Sequence, residues 1–123
     1  MSTNSENLLS NTEMYKIFLL LQSLDEIKRS IIMVLVHIFP KEVSASQIAN
    51  LAGYSTRSKY IFKSGALEML EKERIIEVTK PAKRLMLIKL NSENELLIKF
   101  SKLCQMEGRD VQELFLGKLL GYE

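Results

Sequence analysis

Apolar residues recur at helical spacing along most of this chain and give way to strand-like runs only between residues 75 and 90. The start, residues 1–11, is largely polar and unpatterned, and is expected to be a flexible segment. From Thr12, a possible helix cap, the positions Met14, Tyr15, Ile17, Phe18, Leu19, Leu20 and Leu21 predict a first helix over 12–22. Its apolar residues cover more of the circumference than one core-facing stripe needs. Ser23 with Glu26 makes a capping-box pattern that predicts the start of a second helix. That helix is expected to run through Phe39, because Pro40 disfavours helical geometry in the residue before it. Leu24, Ile27, Ile31, Val34, Leu35 and Ile38 form its inner face, and Ile32, Val36 and Phe39 make a second apolar side. Such a helix is central, with neighbours on several sides.

Ser44 with Gln47 repeats the capping pattern and predicts a short helix over 45–52, with Ile48, Leu51 and Ala52 inward and Gly53 closing it. Ser55 caps a further helix reaching towards Lys72, packed through Leu67 and Leu70 with Tyr60, Ile61 and Ala66, and weakest at Ser64–Gly65. The β-branched Ile75, Ile76 and Val78 and the run from Leu85 to Leu90 predict two strands around a turn at Lys80, Pro81, Ala82 and Lys83, a hairpin with a basic tip. The second strand is apolar on both faces and is expected to be buried. Asn91 or Ser92 caps a helix over 93–106 with Leu96, Leu97, Phe100, Leu103 and Cys104 inward. After Gly108, Val111, Leu114, Phe115 and Leu119 mark a last helix over 110–120. The fold class is mainly α with a β-hairpin.

Composition narrows the chemistry. The chain has 123 residues, 46% hydrophobic and 26% charged, which fits one compact domain and excludes disorder throughout. A single Cys104 excludes a disulfide framework, a four-cysteine zinc site and a CxxC pair, so a reduced, cytoplasmic protein is expected. The N-terminus has neither early basic residues nor a small-residue cleavage pattern and does not read as a signal peptide. The longest apolar run, residues 31–39, is interrupted by His37 and is too short for a membrane span of about 20 residues. No Gly-rich phosphate loop, GxSxG, HExxH or paired-carboxylate site is visible, so no enzyme, cofactor or metal is expected. His37 reads as a packed or hydrogen-bonded histidine within an apolar helix, and Cys104 as a small buried hydrophobe.

The formal charge is only +2, but it is unevenly spread. Residues 1–40 sum to −1 and residues 85–123 to −1, whereas residues 41–84, with nine basic and five acidic side chains, sum to +4. No acid occurs from Val43 to Leu67, where Arg57, Lys59 and Lys63 stand. None occurs from Val78 to Leu90, which holds Lys80, Lys83, Arg84 and Lys89. Two acid-free basic stretches make an electrostatic footprint for a polyanion.

The order helix, helix, short helix, tight turn, helix, basic hairpin resembles the winged helix-turn-helix transcription regulators, including small dimeric ones of archaea, their viruses and plasmids. The residues that carry the likeness are SASQIANLAGYSTRSKY, LEMLEKERIIEV and KPAKRLMLIKL, within residues 41–90. The small Ala49 stands four before Gly53, as close helix approach and a sharp turn require. Leu67 and Leu70 follow Gly53 about one helical turn later than is usual in the family, so the helix after Ser55 is either longer or broken at Ser64–Gly65.

The resemblance implies a DNA-binding domain over residues 12–90 and a helical dimerisation element over 91–123. It implies that Ser55, Thr56, Arg57, Ser58 and Lys59 face the major groove, with Arg57 reading guanine and Lys59 touching phosphate. Tyr60 and Lys63 follow on the same helix, and Lys80, Lys83 and Arg84 form the wing. The implied partners are double-stranded DNA and a second copy of the chain, with no membrane. Replication or partition of a plasmid or virus, or protein assembly without nucleic acid, are the alternative functions. The strand, helix, Gly-Arg turn and helix of residues 84–120 are also similar, more weakly, to ribbon-helix-helix proteins. The exposed face of their strand reads bases, a task for which the apolar 85–90 run is poorly patterned.

Overall fold

Ser10, rather than Thr12, opens the first helix. In the computed structural model, which describes residues 9–53 and 65–106, the Ser10 Oγ accepts the Glu13 N–H at 3.1 Å and the Ser10 N–H donates to Glu13 Oε1 at 3.0 Å. The reciprocal pair satisfies two N-terminal groups that a helix leaves open, and α1 runs Asn11–Ser23. The Ser10 N–H, and then the ammonium of Lys99 at 2.9 Å, hold the Glu13 carboxyl below its ordinary pKa. The second cap also differs from expectation. Ser23 is the last residue of α1, its hydroxyl donating to the Leu20 carbonyl at 2.7 Å. Asp25 caps α2 (Glu26–Ile38) by accepting the Lys28 N–H at 3.0 Å. Two capping-competent residues lie two apart, and the chain turns at the later one.

Among the described residues the chain forms five helices and one two-stranded antiparallel sheet, a mainly helical architecture with a hairpin. The helix α2 is the central element, packed against α3 (Ala45–Leu51), α4 (Ala66–Lys72) and α5 (Glu95–Met106) and against the hairpin. Its Ile31, Ile32, Leu35 and Val36 are fully buried, on both of the sides that its sequence makes apolar. Full burial of each such side chain contributes roughly 1.5–3 kcal/mol before entropy is counted. Ile17 of α1, Ile48 of α3, Leu70 of α4 and Leu97 and Phe100 of α5 complete the core around it.

The Ser44–Gln47 capping box forms as expected and starts α3. Its buried stripe is Ala45, Ile48 and Ala49, and Leu51, expected inward, is 61% exposed on the shoulder of that stripe. Gly53 closes the helix at φ +87, a conformation glycine adopts without side-chain strain. Gly65 has φ +73 and is the N-cap of α4, so the helix expected to reach Lys72 does not continue through Gly65.

The strands are β1 (Ile76–Ala82) and β2 (Leu85–Leu90), paired Ile76↔Leu90 through Thr79↔Leu87, then irregularly to Ala82↔Leu85. The turn is therefore narrower than expected, Lys83–Arg84 alone, and Lys80 and Pro81 belong to β1. Only one face of β2 is buried. Ile88 and Leu90 lie in the core with Ile76, while Leu85 is 42% exposed and Leu87 half-buried. Burial needs a second layer, and among the described hairpin residues those in or packed against the core are Ile76, Val78, Met86, Ile88 and Leu90, one face of the paired strands. Finally, α5 is capped by Asn94, not by Asn91 or Ser92, through the Leu97 N–H at 3.2 Å. The side-chain amides of Asn91 and Asn94 both donate to the Arg74 carbonyl at 3.1 Å, and Arg74 has φ +62. The corner before β1 and the corner after β2 are thus tied together. No helix among the described residues is long and apolar enough to cross a membrane.

Candidate nucleic-acid interface

Pro40 ends α2, and the chain leaves it extended. Val43 then meets β2 as an isolated third strand position: its N–H donates to the Ile88 carbonyl at 3.0 Å and the Ile88 N–H donates back at 2.8 Å. The spatial order is Val43, β2, β1. Thr79 Oγ1 adds a bond to Glu42 Oε2 at 3.4 Å. These contacts hold the beginning of α3 beside the tip of the hairpin, with a groove of about 430 Å³ between them.

Lys80, Lys83, Arg84, Leu85 and Met86 line that groove from the hairpin, and Ser44, Ala45 and Ser46 line it from the start of α3. None of the described lining residues is acidic. Among the described residues the ion pairs are Lys28 with Asp25, Lys89 with Glu77 and Lys99 with Glu13, so none of the three groove cations is neutralised by a carboxylate there. Like charges gathered without counter-charge raise the local concentration of an anion, and exposed hydroxyls add hydrogen-bond donors for its oxygens. The structure thus brings the three expected wing residues together. Ser44 and Ser46 were not anticipated as part of the site. Ser44 reads as a cap, which it also is, and the only sequence signal for Ser46 is its place in the acid-free stretch after Glu42.

Ser55, Thr56, Arg57, Ser58, Lys59, Tyr60 and Lys63 lie outside the described residues, as does the helix expected over 110–120. The described chain reaches them from α3 through Gly53 and resumes at Gly65.

His37 and Cys104 have places of their own. A second cavity, about 380 Å³, is lined by Ser30, Met33, Val34, His37, Ile38, Leu51 and Ala52, and is mostly apolar. His37 Nδ1 lies 2.7 Å from the Met33 carbonyl of its own helix, a distance at which that nitrogen carries the proton and donates. Cys104 is buried, and burial pushes its thiol up to about 11, away from the thiolate needed for nucleophilic chemistry. Among the described residues no three of His, Cys, Asp and Glu gather where a metal ion would be held. Comparison of the chain with protein-family models, with curated proteins and with solved structures finds no match.

Proposed function

We propose that this chain binds double-stranded DNA and acts as a sequence-specific, dimeric transcription regulator of winged helix-turn-helix type. The observation that carries the reading is the groove between α3 and the hairpin tip, with Lys80, Lys83 and Arg84 on one wall, two serines on the other and no acid among the described lining residues. A phosphodiester backbone is the polyanion that such a groove suits, because each phosphate offers charge and hydrogen-bond acceptors together.

Three further features support the winged-helix part of the proposal. The small Ala49 is fully buried where α3 packs, and Gly53 turns the chain at positive φ directly after that helix. Val43, β2 and β1 lie in that order, so the hairpin is braced against the connection that leads into α3. In this arrangement α3 is the first helix of the helix-turn-helix, the segment opening at Ser55 reads the major groove, and the hairpin is the wing. A second copy would supply the matching half-site.

Retention on immobilised duplex DNA and on heparin tests the reading. Binding that weakens steeply as salt rises is expected, because phosphate contacts release condensed counterions. Failure to bind either matrix at low salt would overturn it and favour protein assembly instead.

A further inference from the structure

The outward face of the hairpin carries two leucines that the core does not use. Residues along β2 alternate faces, so Met86, Ile88 and Leu90 turn inward and Leu85, Leu87 and Lys89 outward. Ile88 and Leu90 belong to the buried core and Met86 packs against it, whereas Leu85 and Leu87 do neither. Leu85 follows Arg84 directly and lines the cationic groove. Farther along the same face the charges are mixed: Lys89 lies 3.6 Å from Glu77, and Thr79 bonds Glu42. On this face of the hairpin, among the described residues, exposed apolar surface therefore adjoins positive charge without a carboxylate partner at the tip.

We propose that Leu85 packs against the sugar edges of the duplex while Lys83 and Arg84 hold the neighbouring phosphates. The hairpin tip then adds a salt-independent part to DNA affinity. This rests on the DNA-binding reading above. A duplex backbone alternates charged phosphates with C–H faces of deoxyribose, and a leucine flanked by cations presents the complementary alternation. The two contributions differ in kind. Phosphate contacts weaken with salt through counterion release, whereas burial of a leucine scales with the apolar area removed from water. An anionic lipid surface is also charged and apolar, but binding there scales with buried apolar area, and one leucine offers little. The observations favour the duplex.

The test is a salt titration of duplex binding by the full chain and its variants. Leu85→Ala is expected to lower affinity about five- to tenfold at every salt concentration, giving a line parallel to that of the wild type. Leu85→Met, which keeps the apolar contact, should stay within about twofold of wild type. Lys83→Ala with Arg84→Ala should instead flatten the slope. The thermal midpoint of each variant reports folding, and Leu85→Thr, which retains strand propensity, replaces alanine if the hairpin is weakened. The proposal is overturned if wild-type protein binds duplex with the expected salt slope and Leu85→Ala and Leu85→Thr fall on its line, or if they change the slope. It is equally overturned if they lose affinity for phosphatidylserine vesicles but not for duplex. Wild-type protein that binds no duplex at any salt overturns the DNA-binding reading itself, a result separate from the others.

Discussion

Ser101 of α5 donates its hydroxyl hydrogen to the Val36 carbonyl of α2 at 2.6 Å, across sixty-five residues of sequence. The helix cannot satisfy that carbonyl itself, because its normal partner would be the N–H of residue 40, which is proline and has none. Gln105, one turn further along α5, donates to the same oxygen at 2.9 Å and to the Phe39 carbonyl at 3.0 Å. The end of the central helix is thus capped from another element, and Ser101 is the one buried polar residue among those described.

Removing either donor alone leaves Val36 one partner. Ser101→Ala or Gln105→Ala should each cost about 1 kcal/mol, while the double variant, which orphans a buried carbonyl, should exceed the sum of the two. Urea denaturation of the four proteins measures this, and strict additivity would refute the shared role.

Cys104 is expected to make stability fall in alkali. Its folded pKa, about 11, lies above the ordinary 9.0, so the native state binds the proton more tightly than the unfolded chain above pH 9. The contribution is complete below about pH 9 and is lost as pH rises through 11, at about 1 kcal/mol by pH 10. Cys104→Ala should remove this pH dependence while lowering stability near neutrality through the cavity it leaves. A wild-type stability unchanged between pH 8 and 10 would contradict it.

Tyr15 and Leu19, 59% and 45% exposed on one side of α1, are the side chains expected to take part in dimerisation. They make up only a fraction of the roughly 800 Å² per partner that a stable interface buries, so residues 107–123 are predicted to contribute to the rest. Sedimentation should give twice 14.1 kDa for the full chain, and a chain lacking residues 107–123 should be monomeric. A full-length species of 14.1 kDa alone would refute the dimer.

Lys83→Ala with Arg84→Ala should weaken binding to all duplex sequences alike. Each lost phosphate contact should lower the magnitude of the log–log salt slope by about 0.9. Unchanged affinity and slope would remove the hairpin from the interface.

Arg57 and Lys59 decide whether the protein reads sequence. A bidentate Arg–guanine pair discriminates by about 1–3 kcal/mol. Arg57→Ala should therefore weaken cognate binding far more than random binding, while Lys59→Ala weakens both by a similar factor. Competition binding that also includes Tyr60→Ala and Lys63→Ala covers a helix displaced along its axis. If none of the four changes the wild-type ratio of cognate to random affinity, this segment does not read DNA.

Most of the described elements are legible in the sequence, because local physics specifies each of them. Pro40 stops α2, the Ser44–Gln47 pair starts α3, Gly53 ends it, and β-branched Ile75, Ile76 and Val78 announce the strand. The cationic tip at Lys80, Lys83 and Arg84 was legible for the same reason, since an acid-free run needs no partner to be recognised. Long-range packing, by contrast, makes the choice among equivalent local signals and assigns the use of each face. Ser10 and Thr12, or Ser23 and Asp25, are interchangeable caps in isolation, and packing selects one of each. Leu51, Leu85 and Leu87 look as apolar as Ile48 and Ile88, yet no layer among the described residues buries them as it buries those two. Ser44 and Ser46 came to face the hairpin only because Val43 pairs with Ile88, forty-five residues away. A hydrogen bond between distant backbone groups leaves no trace in side-chain periodicity, and that bond is what builds the groove.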